Sequence, residues 1–146
     1  MYEVDYRGVK ISCYAMDVAE HEAVTFEVKS LADKLLAEHE KDVDNKKVRE
    51  IRFDAEYETR EYAINNELLE RETYITIEAI AVFSAGDISI PERFTSVPEN
   101  FDWKVTGISV YSIDGYIEVE VTFKKSFKVK TEQFLFRDLY FRGEIK

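Results

Sequence analysis

The sequence has few of the residues that cross-link or interrupt a globular fold. Its 146 residues include one cysteine, two prolines and five glycines. A single cysteine cannot form an internal disulfide, which agrees with a reducing compartment. The glycines stand at positions 8, 86, 107, 115 and 143, so neither a GxGxxG dinucleotide motif nor a P-loop can be written. The scarcity of Gly and Pro also excludes a collagen-like chain and a flexible linker.

Long hydrophobic runs are missing as well. The longest unbroken apolar run extends only from Ala79 to Phe83, whereas a membrane-spanning helix needs about 18 apolar residues. The first ten residues carry two acids and no apolar segment of the kind found in signal peptides. We therefore expect a cytoplasmic protein with no membrane partner.

Acidic residues outnumber basic ones by a wide margin. The chain has 30 acidic and 20 basic side chains, a net charge of -10, and a pI near 4.8. Nucleic acid and anionic membranes would repel such a protein, so we expect no direct nucleic-acid partner. The whole excess lies in residues 1–103, which hold 24 acids and 12 bases. This bias predicts an acidic surface that a basic protein partner would recognise.

One long helix is predicted by the spacing of apolar residues. Between residues 31 and 44 these recur every three or four positions, and Leu31, Leu35 and Leu36 are expected to dock on a sheet. For residues 17–29 two interpretations stay open. The segment extends the helix, or its alternating Val and Phe residues form a strand.

The other segments have the patterns of strands. Residues 9–15 and 50–58 alternate between apolar and polar, and residues 73–83 are apolar on both faces, as in a central strand. Asp114-Gly115 is the strongest hairpin signal, of type I′, and separates strands at 105–113 and 116–123.

Two further segments give weaker signals. Arg7-Gly8 predicts a hairpin between residues 2–6 and residues 9–15. Residues 131–141 fit either a last strand or a short helix. The expected fold is α+β, a single domain over residues 1–146. In it an antiparallel sheet of about five to six strands packs on one main helix.

The sequence contains no recognisable catalytic or metal-binding motif. His21 and His39 are five helical turns apart, too far to bind one metal ion together. Cys13 lies on the apolar face of its strand, which predicts a buried, unreactive thiol. Asp42-Val-Asp44 begins like a calcium-binding loop, but two lysines follow where an oxygen ligand and a glycine are needed. We expect neither catalysis nor a metal or other cofactor.

Rows of carboxylates are the first candidate site. Side chains two apart on a strand are spaced about 6.6–6.8 Å on one face, a regular spacing that resembles the charge of a nucleic-acid backbone. The opposing interpretations are ordinary solubilising residues or, for pairs two apart, an acid and base of a glycosidase-like enzyme. The candidate partner-binding carboxylates are Glu50, Asp54, Glu56 and Glu58 on one strand, and Glu118 and Glu120 on another.

An aromatic loop is the second candidate. Residues 84–102 hold both prolines and lack periodicity, and such long loops are often functional. Phe94 and Phe101 lie in this loop, and Trp103, the only tryptophan, follows it. These aromatics either pin the loop over the core or anchor a partner, as aromatic residues do at interface hot spots.

Two functions from different classes follow from these features. The first is a non-catalytic interaction protein, an inhibitor that presents a nucleic-acid-like acidic face to a basic, nucleic-acid-binding protein. The alternative is a domain that binds a small-molecule or nucleotide-type ligand in an aromatic-lined pocket between helix and sheet. An enzyme without a visible motif is a third class. The high aromatic content and the sheet edges also make a homodimer reasonable.

Overall fold

The computed structural model describes residues 2–14, 22–86 and 102–141. Within these residues six strands form one sheet in the order β1-β2-β3-β4-β6-β5, most of it antiparallel, and three helices complete an α+β arrangement. Among the described residues, no helix is both long and apolar enough to cross a membrane. Along the chain the elements are β1 (Tyr2–Tyr6), β2 (Val9–Cys13), α1 (Glu22–Glu38), α2 (Glu40–Asp44), β3 (Val48–Ala63), β4 (Leu68–Gly86), β5 (Lys104–Ile113), β6 (Tyr116–Leu135) and α3 (Phe136–Phe141).

Two tight turns connect antiparallel neighbours as the sequence predicts. Arg7 and Gly8 join β1 to β2, and Asp114 and Gly115 join β5 to β6. In both turns the two residues have positive φ, between 50° and 85°. Consecutive positive φ angles are the signature of the type I′ turn, whose twist matches that of the flanking strands.

The sheet is mostly antiparallel, as predicted, but one strand pair runs parallel, and there the prediction is wrong. β2 and β3 are parallel, with Ile11 opposite Ile51 and Cys13 opposite Phe53. Because α1 and α2 lie between these strands in the chain, the connection is a crossover that returns β3 in the same direction as β2.

The chain divides into two compact units, residues 1–55 with 77–125 and residues 56–76 with 126–146. Strands β3, β4 and β6 contribute residues to both units. The expectation of one domain stays a prediction, and each unit is described by itself.

The first unit contains α1, whose apolar face is buried. Residues 22–29 are helical, so the interpretation that extends the helix upstream is confirmed there, while residues 17–21 lie outside the described residues. Phe26 is 70% exposed, as expected for the opposite side of the helix. The residues of α1 that are almost fully buried are Val24, Leu31, Ala32, Leu35 and Leu36.

The predicted helix over residues 31–44 is interrupted at His39, between α1 and α2. The ring of His39 packs against the ring of Phe83, with centroids 4.9 Å apart, and its Nδ1 lies 3.3 Å from Oδ2 of Asp42. Both His39 and Asp42 are buried. The break therefore coincides with a side-chain contact to a distant strand. The spacing of apolar residues along the helix does not reveal such a contact.

In the second unit, cation–aromatic contacts join neighbouring strands. The guanidinium of Arg60 lies 4.2 Å from the ring centre of Tyr74, and that of Arg71 lies 4.8 Å from the ring centre of Phe134. The ambiguous C-terminal segment is strand up to Leu135 and helix from there to residue 141. Residues 131–135 thus continue β6 and are not a separate last strand, and the helical alternative is confirmed for residues 136–141.

We expect Leu35→Ala to lower the free energy of unfolding by about 2–5 kcal/mol, because Leu35 is only 3% exposed and truncation leaves a cavity. Phe26→Ala on the exposed side of α1 is the control and should change stability by no more than about 0.5 kcal/mol. Urea unfolding followed by circular dichroism measures both. Equal midpoints for Leu35→Ala and the unmodified chain would contradict the burial of this face.

Candidate functional site

Three of the predicted carboxylates come together on one face of the sheet in the first unit. Glu50, Glu118 and Glu120 line a polar pocket of about 430 Å³. The parallel register places Lys10 opposite Glu50. The remaining lining residues are Lys10, Arg49, Arg52 and Val82.

These carboxylates are paired with cations of the same chain. Arg52 Nη2 lies 2.8 Å from Glu120 Oε1, and Arg52 Nε lies 3.6 Å from Glu50 Oε1. Arg49 forms an ion pair with Glu118. Lys10 Nζ lies 4.0 Å from Glu50 Oε2. The pocket is therefore a mixed-charge network rather than an uncompensated acidic row.

The other three predicted carboxylates are placed differently. Asp54 is exposed in the first unit, whereas Glu56 and Glu58 belong to the second. Glu58 accepts a hydrogen bond from the Thr76 hydroxyl at 3.3 Å and pairs with Arg60 at 3.5 Å. Asp54 and Glu56 form no ion pair with any residue that the structure describes.

Trp103, the third aromatic candidate, is only 3% exposed. This burial fits the interpretation that it packs in the core rather than displaying its ring to a partner. Phe94 and Phe101 lie outside the described residues, and their role as partner anchors stays a prediction.

A lysine connects α1 to the chain beside Trp103. Lys125 Nζ donates hydrogen bonds to Glu27 and to Asp102, each at 2.7 Å. The hydrogen bond from Lys125 lowers the pKa of Asp102 below its usual 3.8. Partial burial opposes the charge of Lys125, but the two hydrogen bonds outweigh it and raise the Lys125 pKa above its usual 10.5. We call these three residues the Lys125 cluster.

On the opposite face of β2, an apolar groove separates α1 from the β1–β2 hairpin. Its volume is about 230 Å³. Alternation along the strands turns Ile11 and Cys13 toward the helix and Lys10 away from it. Side chains four apart on a helix share a face, so α1 contributes a continuous ridge. The groove is lined by Val4, Tyr6, Ile11, Cys13, Val24, Thr25, Val28, Lys29 and Ala32.

The polar atoms of the groove lie at its edge. The Tyr6 hydroxyl donates a hydrogen bond to Asp33 of α1, which raises the pKa of Tyr6 above its usual 10.0. Lys29 is exposed and makes no ion pair with a described residue. The groove thus joins an apolar interior to Lys29, a cation with no ion-pair partner among the described residues.

Sequence reasoning predicted a pocket between helix and sheet but not its lining. Among the described residues that line the groove, Tyr6 is the single aromatic one, whereas an aromatic lining was expected. Cys13 is buried as predicted. The alternation of β2 and the four-residue spacing of Val24, Val28 and Ala32 were the signals that could have located the groove.

Within residues 2–14, 22–86 and 102–141, no three His, Cys, Asp or Glu side chains are grouped so that they could hold a metal ion. Comparison with protein-family models, with curated proteins and with solved structures finds no significant match. The arguments on function therefore depend on the geometry of the groove and of the ion-pair network.

We expect Lys125→Met to lower stability by about 0.5–1.5 kcal/mol at neutral pH, the usual net value of a hydrogen bond. The Asp102 contribution is present above its unfolded pKa and is lost as pH falls through its lowered folded pKa. The Lys125 contribution is present below its unfolded pKa and is lost as pH rises through its raised folded pKa. The difference from the unmodified chain should therefore shrink at both extremes of pH.

Urea unfolding across this pH range measures that difference. Lys128→Met, at an exposed position of the same strand, is the charge-matched control and should show little effect at any pH. A Lys125→Met effect that does not vary with pH would mean that the Lys125 cluster stabilises by packing alone.

Proposed function

We propose that the protein is a non-catalytic binding protein that takes a small apolar molecule with an anionic group into the groove between α1 and the β1–β2 hairpin. The observation that carries this proposal is the groove itself, about 230 Å³ in volume and lined almost wholly by apolar side chains. Apolar cavities somewhat smaller than this, about 150 Å³, hold molecules of the size of benzene.

The charge at the groove supports an anionic ligand. In a chain of net charge -10, an anion is repelled by the protein as a whole. Lys29, exposed at the groove and without an ion-pair partner in the described parts of the chain, supplies a local attraction. The apolar part of the ligand would lie between Ile11 of the hairpin and Val28 of the helix, with its anionic group beside Lys29.

We place the acidic-surface function second. Among its candidate carboxylates, Asp54 and Glu56 are exposed and make no ion pair with a described residue, while Glu50, Glu118 and Glu120 already pair with Lys10, Arg49 and Arg52. A partner would have to displace these pairs, and isolated exposed ion pairs contribute only about 0–1 kcal/mol each. The proposal for the groove includes three further expectations. The sheet packs on α1, the chain forms one domain, and the protein is cytoplasmic.

Binding of two fluorescent probes tests the groove. We expect anilinonaphthalene sulfonate, an apolar anion, and phenylnaphthylamine, its uncharged counterpart, both to bind. Val28→Phe should abolish binding of both, because the larger side chain fills the groove. Lys29→Gln should weaken the anion about two- to five-fold, as expected for one exposed ion pair, and leave the neutral probe unchanged.

Two variants on the exposed surface of the helices serve as controls. Ala37→Phe adds the same side chain to α1 away from the groove, and Lys41→Gln removes a cation from α2. Both should bind the probes as the unmodified chain does. Undiminished binding to Val28→Phe would overturn the proposal.

The single cysteine provides an independent measurement. Because Cys13 lines the groove and is buried, we expect slow alkylation by N-ethylmaleimide and still slower alkylation when octanoate occupies the groove. The control is the double variant Cys13→Ser/Tyr14→Cys, whose thiol at an exposed position should react fast with or without octanoate. Fast labelling of Cys13, or labelling that octanoate does not slow, would contradict its place in the groove.

A further inference from the structure

The two outer strands of the sheet differ in how their free edges are protected. β1 and β5 are the edge strands. Exposed edges invite pairing with another chain, and proteins commonly block them with charged residues, proline or bulges. β1 carries Glu3 and Asp5, and Glu3 lies 3.6 Å from Lys10 of the neighbouring strand. Two such β1 edges would meet with like charges.

β5 lacks this protection over most of its length. Residues 105–113 contain neither a charged residue nor proline, in a chain of which 34% of residues are charged. A bulge lies near its start, between Val105 and Gly107. Beyond the bulge the strand pairs regularly with β6 from Gly107 to Ile113. This regular, uncharged edge has no strand partner within the part of the chain that the structure describes.

The apolar face of β5 is left uncovered. Ile108 and Val110 lie opposite Val121 and Val119, which are 2% and 0% exposed. Directly opposed residues share a face of the sheet, yet Ile108 and Val110 are 45% and 51% exposed. The apolar surface of the core thus continues to the edge of the sheet.

We propose that β5 pairs with β5 of a second copy of this chain, antiparallel across a two-fold axis at Ser109. This arrangement sets Ile108 of each copy opposite Val110 of the other, on one face. It also brings Lys104, at one end of the strand, to Asp114 of the other copy, at the opposite end. The pairing is self-complementary, as a two-fold interface must be.

The charges at the two ends of β5 favour pairing with a second copy of this chain. Lys104 lies opposite Lys124 on β6, and like charges directly opposite each other are unfavourable. An incoming carboxylate from a second copy would offset that repulsion. Lys104 and Asp114 are exposed, and neither makes an ion pair with a residue in the described ranges.

The bulge and the net charge do not prevent the pairing. The extra residue of the bulge shifts Lys104 by about one residue, roughly 3.4 Å, along the strand relative to Asp114 of the other copy. A flexible lysine side chain spans that distance. The overall charge of -10 opposes self-association, but residues 105–113 are uncharged and are flanked by charges of opposite sign, Lys104 and Asp114. The inference goes beyond ligand binding and does not depend on the groove.

Sedimentation equilibrium across the micromolar range tests the dimer. We expect a monomer–dimer equilibrium for the unmodified chain and a monomer for Val110→Lys, which places a lysine on the edge. Lys104→Glu and Asp114→Asn should each raise the dimer Kd, the former about five- to thirty-fold because two exposed ion pairs are lost. Asp114→Asn keeps the turn, since Asn-Gly also favours type I′.

The matched control is Tyr57→Lys. Tyr57 lies on β3, an interior strand, and is 51% exposed, the same fraction as Val110. The same gain of positive charge there should leave the dimer intact. Circular dichroism and thermal unfolding verify that each variant is folded. A monomeric unmodified chain, a dimer that survives in folded Val110→Lys, or oligomers that keep growing with concentration would overturn the proposal.

Cross-linking tests the register. In a Cys13→Ser background, oxidation with copper phenanthroline should join Ser109→Cys chains efficiently, because directly opposed Cβ atoms lie within about 4.5–5.5 Å. Ser112→Cys is the control, since it lies opposite residue 106 of the other copy rather than opposite itself. A dimer that cross-links through residue 112 and not through residue 109 would contradict a two-fold axis at Ser109.

Discussion

The parallel pairing of β2 with β3 is the constraint on which both surface sites of the first unit depend. Parallel neighbours cannot be joined by a tight turn, so the chain between them must cross over the sheet, and here it does so through α1 and α2. The same pairing sets Lys10 beside Glu50 on one face and Ile11 beside Ile51 on the other. One register therefore positions both the ion-pair network and Ile11, which lines the apolar groove.

The features that the sequence predicts correctly are those whose information lies within a few residues. Each type I′ turn depends on two adjacent residues, and the buried face of α1 depends on the three- and four-residue spacing of Leu31, Leu35 and Leu36. The alternation that predicts a buried Cys13 is equally local. These signals need no knowledge of which element packs against which.

What the sequence does not predict depends on partners that are distant in the chain. Arg49 and Glu118 are 69 residues apart, and no local pattern shows that β3 and β6 bring them to one pocket. The break at His39 likewise coincides with contacts to Phe83 from another strand. Nor does alternation along β2 specify that its second neighbour runs parallel. Strand order and direction decide these features, and both are properties of the whole sheet.

Net charge accordingly says little about how charge is distributed over the surface of the first unit. Of the six candidate carboxylates, Glu50, Glu118 and Glu120 each lie beside an arginine or lysine of the first unit. Charged side chains of β2, β3 and β6 line the polar pocket, and β1 carries Glu3 and Asp5. In a protein with this composition, uncharged exposed surfaces are the stronger candidates for interaction sites. Charged surfaces favour solubility, and an exposed apolar surface lowers it. The apolar groove beside α1 and the free edge of β5 are two such surfaces.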